Sequence, residues 1–141
     1  MKRVFVDTGG FVALLVADDK MHPSASTLFD SAALDRWSLV TTNTVVVETY
    51  SVLLARAKDG RRAAISFLDA VAEDQLQGGL AIERVRPEDE HSAIALLRAH
   101  SDKTYSLCDA LSFVVMERLG ITEAIAFDRH FREYGRFTLL R

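Results

Sequence analysis

Short β-branched runs, each followed by a helix-forming stretch, constrain this sequence more than any other feature. Arg3-Val4-Phe5-Val6 reads as a buried strand. Asp7-Thr8 then opens the apolar run Phe11 to Ala17, which reads as a helix. Pro23, at a first helical position, begins another helix that runs to about Leu34. Trp37 to Thr42 reads as a second strand, and Asn43 or Thr44 caps a helix that runs to about Ala57, stopped by Lys58-Asp59-Gly60. Arg61 to Leu76 places Ala64, Ile65, Leu68, Val71 and Ala72 at helical spacing, and Gly78-Gly79 ends it. Leu80 to Val85 is a further strand, and Pro87 begins a helix ending near His100. Ser106 with Asp109 three residues on is a capping box for a helix carrying Leu111, Val114, Val115 and Leu119, which Gly120 stops. Ala124 to Phe127 and Arg136 to Leu140 complete the strands.

Strands alternating with helices specify an α/β fold, here a three-layer α/β/α arrangement around a central, mostly parallel sheet. No linker, charge block or internal repeat divides the 141 residues, so residues 1–141 are expected to form one domain. A content of 49% hydrophobic and 26% charged residues excludes a disordered tail. Cys108 is the sole cysteine, which excludes an internal disulfide and a zinc site built from several thiolates. The apolar stretch Gly9 to Ala17 is far short of the roughly 20 residues of a membrane span. Asp7 also interrupts what a signal peptide would keep apolar, so a soluble cytoplasmic protein is expected. The formal net charge is −3, not the basic balance typical of a nucleic-acid binder. If four carboxylates are set aside on a metal, however, the remainder carries −3 + 4 = +1.

Four acids stand apart from the rest. Asp7 directly follows the first expected strand, and Asp128 directly follows the strand Ala124 to Phe127. Glu48 lies about one turn into the helix after the second strand, and Asp109 in the first turn of the helix opened at Ser106. In open parallel sheets, ligands bind at the carboxyl ends of strands. The surroundings are apolar: Val6 before Asp7, Val45-Val46-Val47 before Glu48, and Leu107, Cys108, Ala110 and Leu111 around Asp109. Carboxylates in such places are costly unless paired or metal-bound, and no Lys or Arg adjoins these three. A hard divalent cation resolves the repulsion, and magnesium accepts oxygen ligands of this kind. With a phosphate substrate, such an ion activates water and stabilises the leaving oxygen. Taken singly, Asp109 is equally readable as a helix cap and Asp7 as a turn residue; Glu48 is the hardest to explain that way.

The motifs carrying these acids resemble those of the PIN-domain ribonucleases, and most closely the VapC-type toxins of prokaryotic toxin–antitoxin pairs. The matching residues are Val6-Asp7-Thr8, Thr41-Thr42-Asn43 through Val47 to Glu48-Thr49, Tyr105 through Asp109 to Phe113, and Ala126-Phe127-Asp128-Arg129-His130-Phe131. In order and spacing they cover residues 4–137. The resemblance implies a compact α/β/α domain whose acidic pocket binds one or two magnesium or manganese ions and cleaves RNA phosphodiesters. It assigns Asp7, Glu48, Asp109 and Asp128 to the acidic quartet, and Thr8 to a hydroxyl position beside the first acid. It also implies a homodimer held inactive by a small antitoxin whose C-terminal segment crosses the active site. Gly9 and Gly10 depart from relatives that carry another small polar residue there.

Arg129 and Arg132 flank the acidic edge and are candidates for phosphate contact. The cluster Arg56, Lys58, Arg61 and Arg62 reads as a solvated corner. Cys108 reads as a packing residue, and His130 as a surface or capping histidine with a helper role as the competing view. Leu28, Phe29, Leu53 and Leu54 face either the core or a dimer seam. Two other functions compete with catalysis by the quartet. One is a PIN-fold RNA-binding module without catalysis. The other is a receiver-like phosphoacceptor domain, which usually needs a late Lys at a strand end, where this chain has Asp128.

Overall fold

A computed structural model describes residues 2–141. Five strands form one sheet in the order β3-β2-β1-β4-β5, and every pairing is parallel. The strands are β1 (Arg3–Val6), β2 (Ser38–Thr42), β3 (Leu80–Glu83), β4 (Glu123–Ile125) and β5 (Thr138–Leu139). The helices are α1 (Thr8–Leu15), α2 (His22–Leu34), α3 (Asn43–Arg56), α4 (Gly60–Leu76), α5 (Pro87–Ala99), α6 (Leu107–Leu119) and α7 (Arg129–Tyr134). The expected α/β/α fold with a parallel sheet is what the chain adopts. The order also separates it from receiver domains, whose doubly wound sheets run 2-1-3-4-5.

Parallel strands buried on both faces must be apolar throughout, and Val4, Phe5 and Val6 are fully buried. The core continues into Val45 and Leu53 of α3, Phe113 and Met116 of α6, and Phe131 of α7. Phe113 stacks on Tyr134 with centroids 4.2 Å apart and meets Phe131 edge-on at 4.8 Å, which ties α7 to α6. Leu28 and Leu53 belong to the core, whereas Leu54 is nearly half exposed. Gly10 is required where α1 crosses β4: a Cβ there would lie 2.7 Å from the Ile125 carbonyl oxygen. A Cβ at Gly9 would meet only ordinary contacts.

Several element ends differ by a few residues from the sequence expectation: β3 stops at Glu83 rather than Val85, β5 is confined to Thr138–Leu139, and two further differences bear on the site. The cap of α3 is Thr42, not Asn43 or Thr44; its Oγ1 accepts the Val45 N–H at 3.1 Å. Asn43 instead accepts the Val85 N–H at 2.9 Å, holding the chain just past β3. β4 ends at Ile125 rather than Phe127, because its neighbour β1 ends at Val6, the register partner of Ile125, and the chain turns into α1. Asp128 therefore does not directly follow a strand. It caps α7, a helix the sequence reading did not include, its Oδ1 accepting the His130 N–H at 2.7 Å.

Candidate functional site

The site lies where the strand order reverses, since β2 and β3 extend the sheet on one side of β1 and β4 and β5 on the other. Asp7 follows β1 at this point, and its N–H donates to the Ile125 carbonyl at 3.1 Å, extending the ladder by one bond. α3 leaves β2 at the carboxyl edge, which carries Glu48 there. α6 returns antiparallel towards β4, so its N-terminus with Asp109 lies at the same edge. The capping box of α6 forms as the sequence indicated: Asp109 N–H donates to Ser106 Oγ, and Ser106 N–H donates to Asp109 Oδ2, both at 3.0 Å.

The four acids converge. Asp7 is buried, and its carboxyl is pushed up to about 8, first by burial and then by the charge of Asp109, with Glu48 and Asp128 adding to it. Asp109 is also buried, while Glu48 and Asp128 are partly exposed. A cleft of about 670 Å³ contains Asp7, Thr8, Glu48 and Asp128, with Lys20 and Arg56 as the cations among its lining residues. A larger apolar groove of about 740 Å³ between Phe11, Phe29, Trp37 and Val71 lies away from the acids and holds none of them.

Three observations bear on a metal. The converging donors are carboxylate oxygens. Burial, and then the charge of Asp109, push the Asp7 carboxyl up to about 8. Thr8 Oγ1 is buried beside Asp7 without a hydrogen-bond partner. All three fit a hard divalent cation held by oxygen ligands. Ligand atoms of Asp109, Asp128 and His130 also lie within 4.8 Å of one another.

Other sequence candidates are placed differently. Arg129 is exposed, is not among the cleft-lining residues and pairs with Glu133 at 3.9 Å. Arg56 is not merely a solvated corner: it lines the cleft two turns after Glu48 and pairs with Asp19 at 3.2 Å. Lys20 and His130 were not assigned to the site from sequence. His130 Nδ1 lies 2.7 Å from Asp109 Oδ2, a contact across 21 positions that no local pattern announces. Cys108 is half-buried against the core, and burial, then the nearby Glu48 and Asp7, push its thiol far up, which disfavours the reactive thiolate. No helix among the described residues is long and apolar enough to cross a membrane.

Comparison with known proteins identifies the family. The PIN domain family model matches residues 4–137. The chain is 36% identical over 132 residues to the 23S rRNA-specific endonuclease VapC20 of Mycobacterium tuberculosis, covering 94% of each sequence. A crystal structure of M. tuberculosis VapC20, described as a sarcin–ricin loop cleaving toxin, superposes with a TM-score of 0.84 at 33% identity, covering 98% of this chain and 99% of that one. VapBC2 from Rickettsia felis, crystallised on a DNA fragment from its promoter, shares the fold at a TM-score of 0.66 and 13% identity. The full-length match, the parallel sheet and the acids gathered at its carboxyl edge together show that the chain belongs to the PIN-domain family, among its VapC-type members.

Proposed function

We propose that this chain is a divalent-metal-dependent endoribonuclease, the toxin of a toxin–antitoxin pair, and that its substrate is 23S rRNA at the sarcin–ricin loop. The observation that carries the catalytic reading is the gathering of carboxylates around the buried Asp7, beside the unpartnered Thr8 hydroxyl and open to a cleft; burial, and then the charge of Asp109, push the Asp7 carboxyl up. A non-catalytic RNA-binding module has no use for such a strained cluster. The substrate reading rests on the likeness to VapC20 along nearly the whole of both chains.

Asp7, Glu48, Asp109 and Asp128 would hold magnesium or manganese, with the Thr8 hydroxyl as a further oxygen beside Asp7. When bound, the ion supplies a lowered water pKa and charge neutralisation at phosphorus. The chain does the rest. Asp7 and Asp109, both buried, give the cluster a fixed floor. Glu48 and Asp128, both more exposed, face the entering substrate and can orient the attacking water. Attack by water leaves a 5′-phosphate and a 3′-hydroxyl and requires no 2′-hydroxyl nucleophile. Incubating the protein with ribosomes and mapping new 5′-phosphate ends tests this. Cleavage is expected to stop with EDTA and to return with Mg²⁺ or Mn²⁺. Full activity in the chelator removes the metal from the mechanism.

Lys20 and Arg56 on the cleft rim, rather than Arg129, are positioned to seat the RNA backbone. Arg56→Gln should weaken RNA binding at all sequences alike and lower the slope of log affinity against log salt by about one ion. Unchanged slope in filter-binding titrations would assign Arg56 to its Asp19 pair alone. As in other VapC-type systems, the partner is a cognate antitoxin. A basic side chain from it fits a cleft that also carries Asp18 and Asp19 beside the quartet. A homodimer belongs to the same reading, with Leu54 among the exposed apolar residues available to it.

A further inference from the structure

His130 contacts two of the four acids from two of its own atoms. Its backbone N–H donates to Asp128 Oδ1 at 2.7 Å. Its ring Nδ1 lies 2.7 Å from Asp109 Oδ2 and 3.4 Å from Asp128 Oδ1. An ionised carboxylate only accepts, so Nδ1 carries the hydrogen of the Asp109 bond. In the neutral ring Nε2 is then an acceptor, and Thr104 Oγ1, at 3.4 Å, is its donor. The ring is further fixed by Tyr105, whose ring meets it edge-on with centroids 5.5 Å apart at 80°. Its side chain is only 15% exposed. A histidine that merely capped a surface helix would need none of these restraints.

The bond also sorts the two oxygens of Asp109. Oδ2 accepts from both Ser106 N–H and His130 Nδ1–H. Oδ1 is left as the oxygen that can bind a cation. A carboxylate anchored through one oxygen presents the other in a single direction, which is how outer-shell partners tune metal sites. Asp128 is restrained from the same residue, so one side chain and its own backbone N–H couple the α6 acid to the α7 acid.

We propose that His130 is a positioning residue: its Nδ1–H bond to Asp109 Oδ2, together with its backbone bond to Asp128, holds these two carboxylates in the orientation that receives the divalent cation. The inference rests on the metal-nuclease reading above. His130 need not touch RNA or the ion.

The test measures Mn²⁺ affinity of the full chain by electron paramagnetic resonance, alongside ribosome cleavage. The variants are Asp109→Asn, His130→Ala, His130→Phe and His130→Asn. His130→Phe keeps a ring against Tyr105 and removes the donor. His130→Asn removes the ring and keeps an N–H donor at nearly the same branch. Loss of an outer-shell partner should weaken Mn²⁺ binding about 10–100-fold in His130→Ala and His130→Phe. His130→Asn should recover most of the loss, whatever its effect on melting temperature. A structural role predicts the reverse, with Phe tolerated and Asn impaired. Wild-type affinity in the Ala and Phe variants, or tighter binding, overturns the positioning role; so does a directly bound nitrogen in the electron spin echo spectrum of the Mn²⁺ complex. If the unmodified protein binds no more Mn²⁺ than Asp109→Asn and cleaves nothing, the metal-nuclease reading itself fails and takes this inference with it.

Discussion

On the proposed mechanism, Asp7→Asn is expected to abolish RNA cleavage and, at the same time, to make the metal-free protein more stable. Asp7 is 3% exposed and shares its surroundings with Asp109, Glu48 and Asp128, so its charged form is doubly disfavoured. Asparagine keeps the shape and removes the charge. With it goes one anionic ligand of the proposed cation, for which a loss on the order of 10³-fold in turnover is expected. The stability change follows from proton linkage. With its carboxyl pushed up to about 8, the folded chain keeps the Asp7 proton to higher pH than the unfolded chain, which releases it near the ordinary value of 3.8. The folded state therefore binds more protons between these values, and its stability falls as pH rises through that window. The variant escapes this penalty. Its advantage should be absent below about pH 4, grow with pH and level off above about pH 8. Each kcal/mol gained raises Tm by about 3–4 °C for a chain of this size. Adding Mn²⁺ should reverse the ranking, because only the native acid can bind it well. Calorimetry across pH with and without Mn²⁺, beside a cleavage assay, reads all of this. A variant that cleaves at the native rate, or melts lower at pH 8 without metal, contradicts the placement of Asp7 in a repelling cluster.

The second large effect lies away from the acids, at Arg118 on α6. Its Nε and one terminal nitrogen grip the two oxygens of Asp89 at 2.8 Å each, and the other nitrogen reaches Glu83 at 2.9 Å. Asp89, on α5, is 2% exposed and also accepts the Arg86 N–H at 2.9 Å. Arg118 therefore joins β3, α5 and α6, the helix that presents Asp109. Removing one partner leaves a buried charge without compensation, and Arg118→Ala should lose about 3–5 kcal/mol in urea unfolding. Arg118→Lys should recover little, since an ammonium cannot form the two-pronged bond. The bond to Arg118 holds the Asp89 carboxyl below the usual range. Its contribution is thus full above about pH 4 and is lost as pH falls through the lowered value. The native protein should accordingly lose its margin over Arg118→Ala in acid. Equal stability of the two at pH 7 would show that the triad adds nothing net.

Much of the architecture was legible because its causes are local. The short apolar run Val4-Phe5-Val6 marks a buried strand, Pro23 and Pro87 mark helix starts, and Ser106 with Asp109 forms the cap it spells. The three apolar-flanked acids were legible for the same reason, since a carboxylate among valines and leucines lacks a local counter-charge. Errors arose where a local signal competed with a partner elsewhere. Phe127 has strand character, but β1 ends at Val6, opposite Ile125. Asn43 is a good cap, but it is engaged by Val85, and Thr42 caps instead.

Local chemistry is enough to place the alternation of strands and helices, and the acids near the ends of those elements, because period, capping and burial act over a few residues. The order β3-β2-β1-β4-β5, which brings the four acids to one edge, comes from long-range packing. The same packing decided that His130 meets Asp109, that Arg118 clasps Asp89, and that Arg56 reaches the cleft. Each of those contacts joins residues 21 or more positions apart or on separate elements. Their formation depends on how helices close over a sheet, which local preference does not encode.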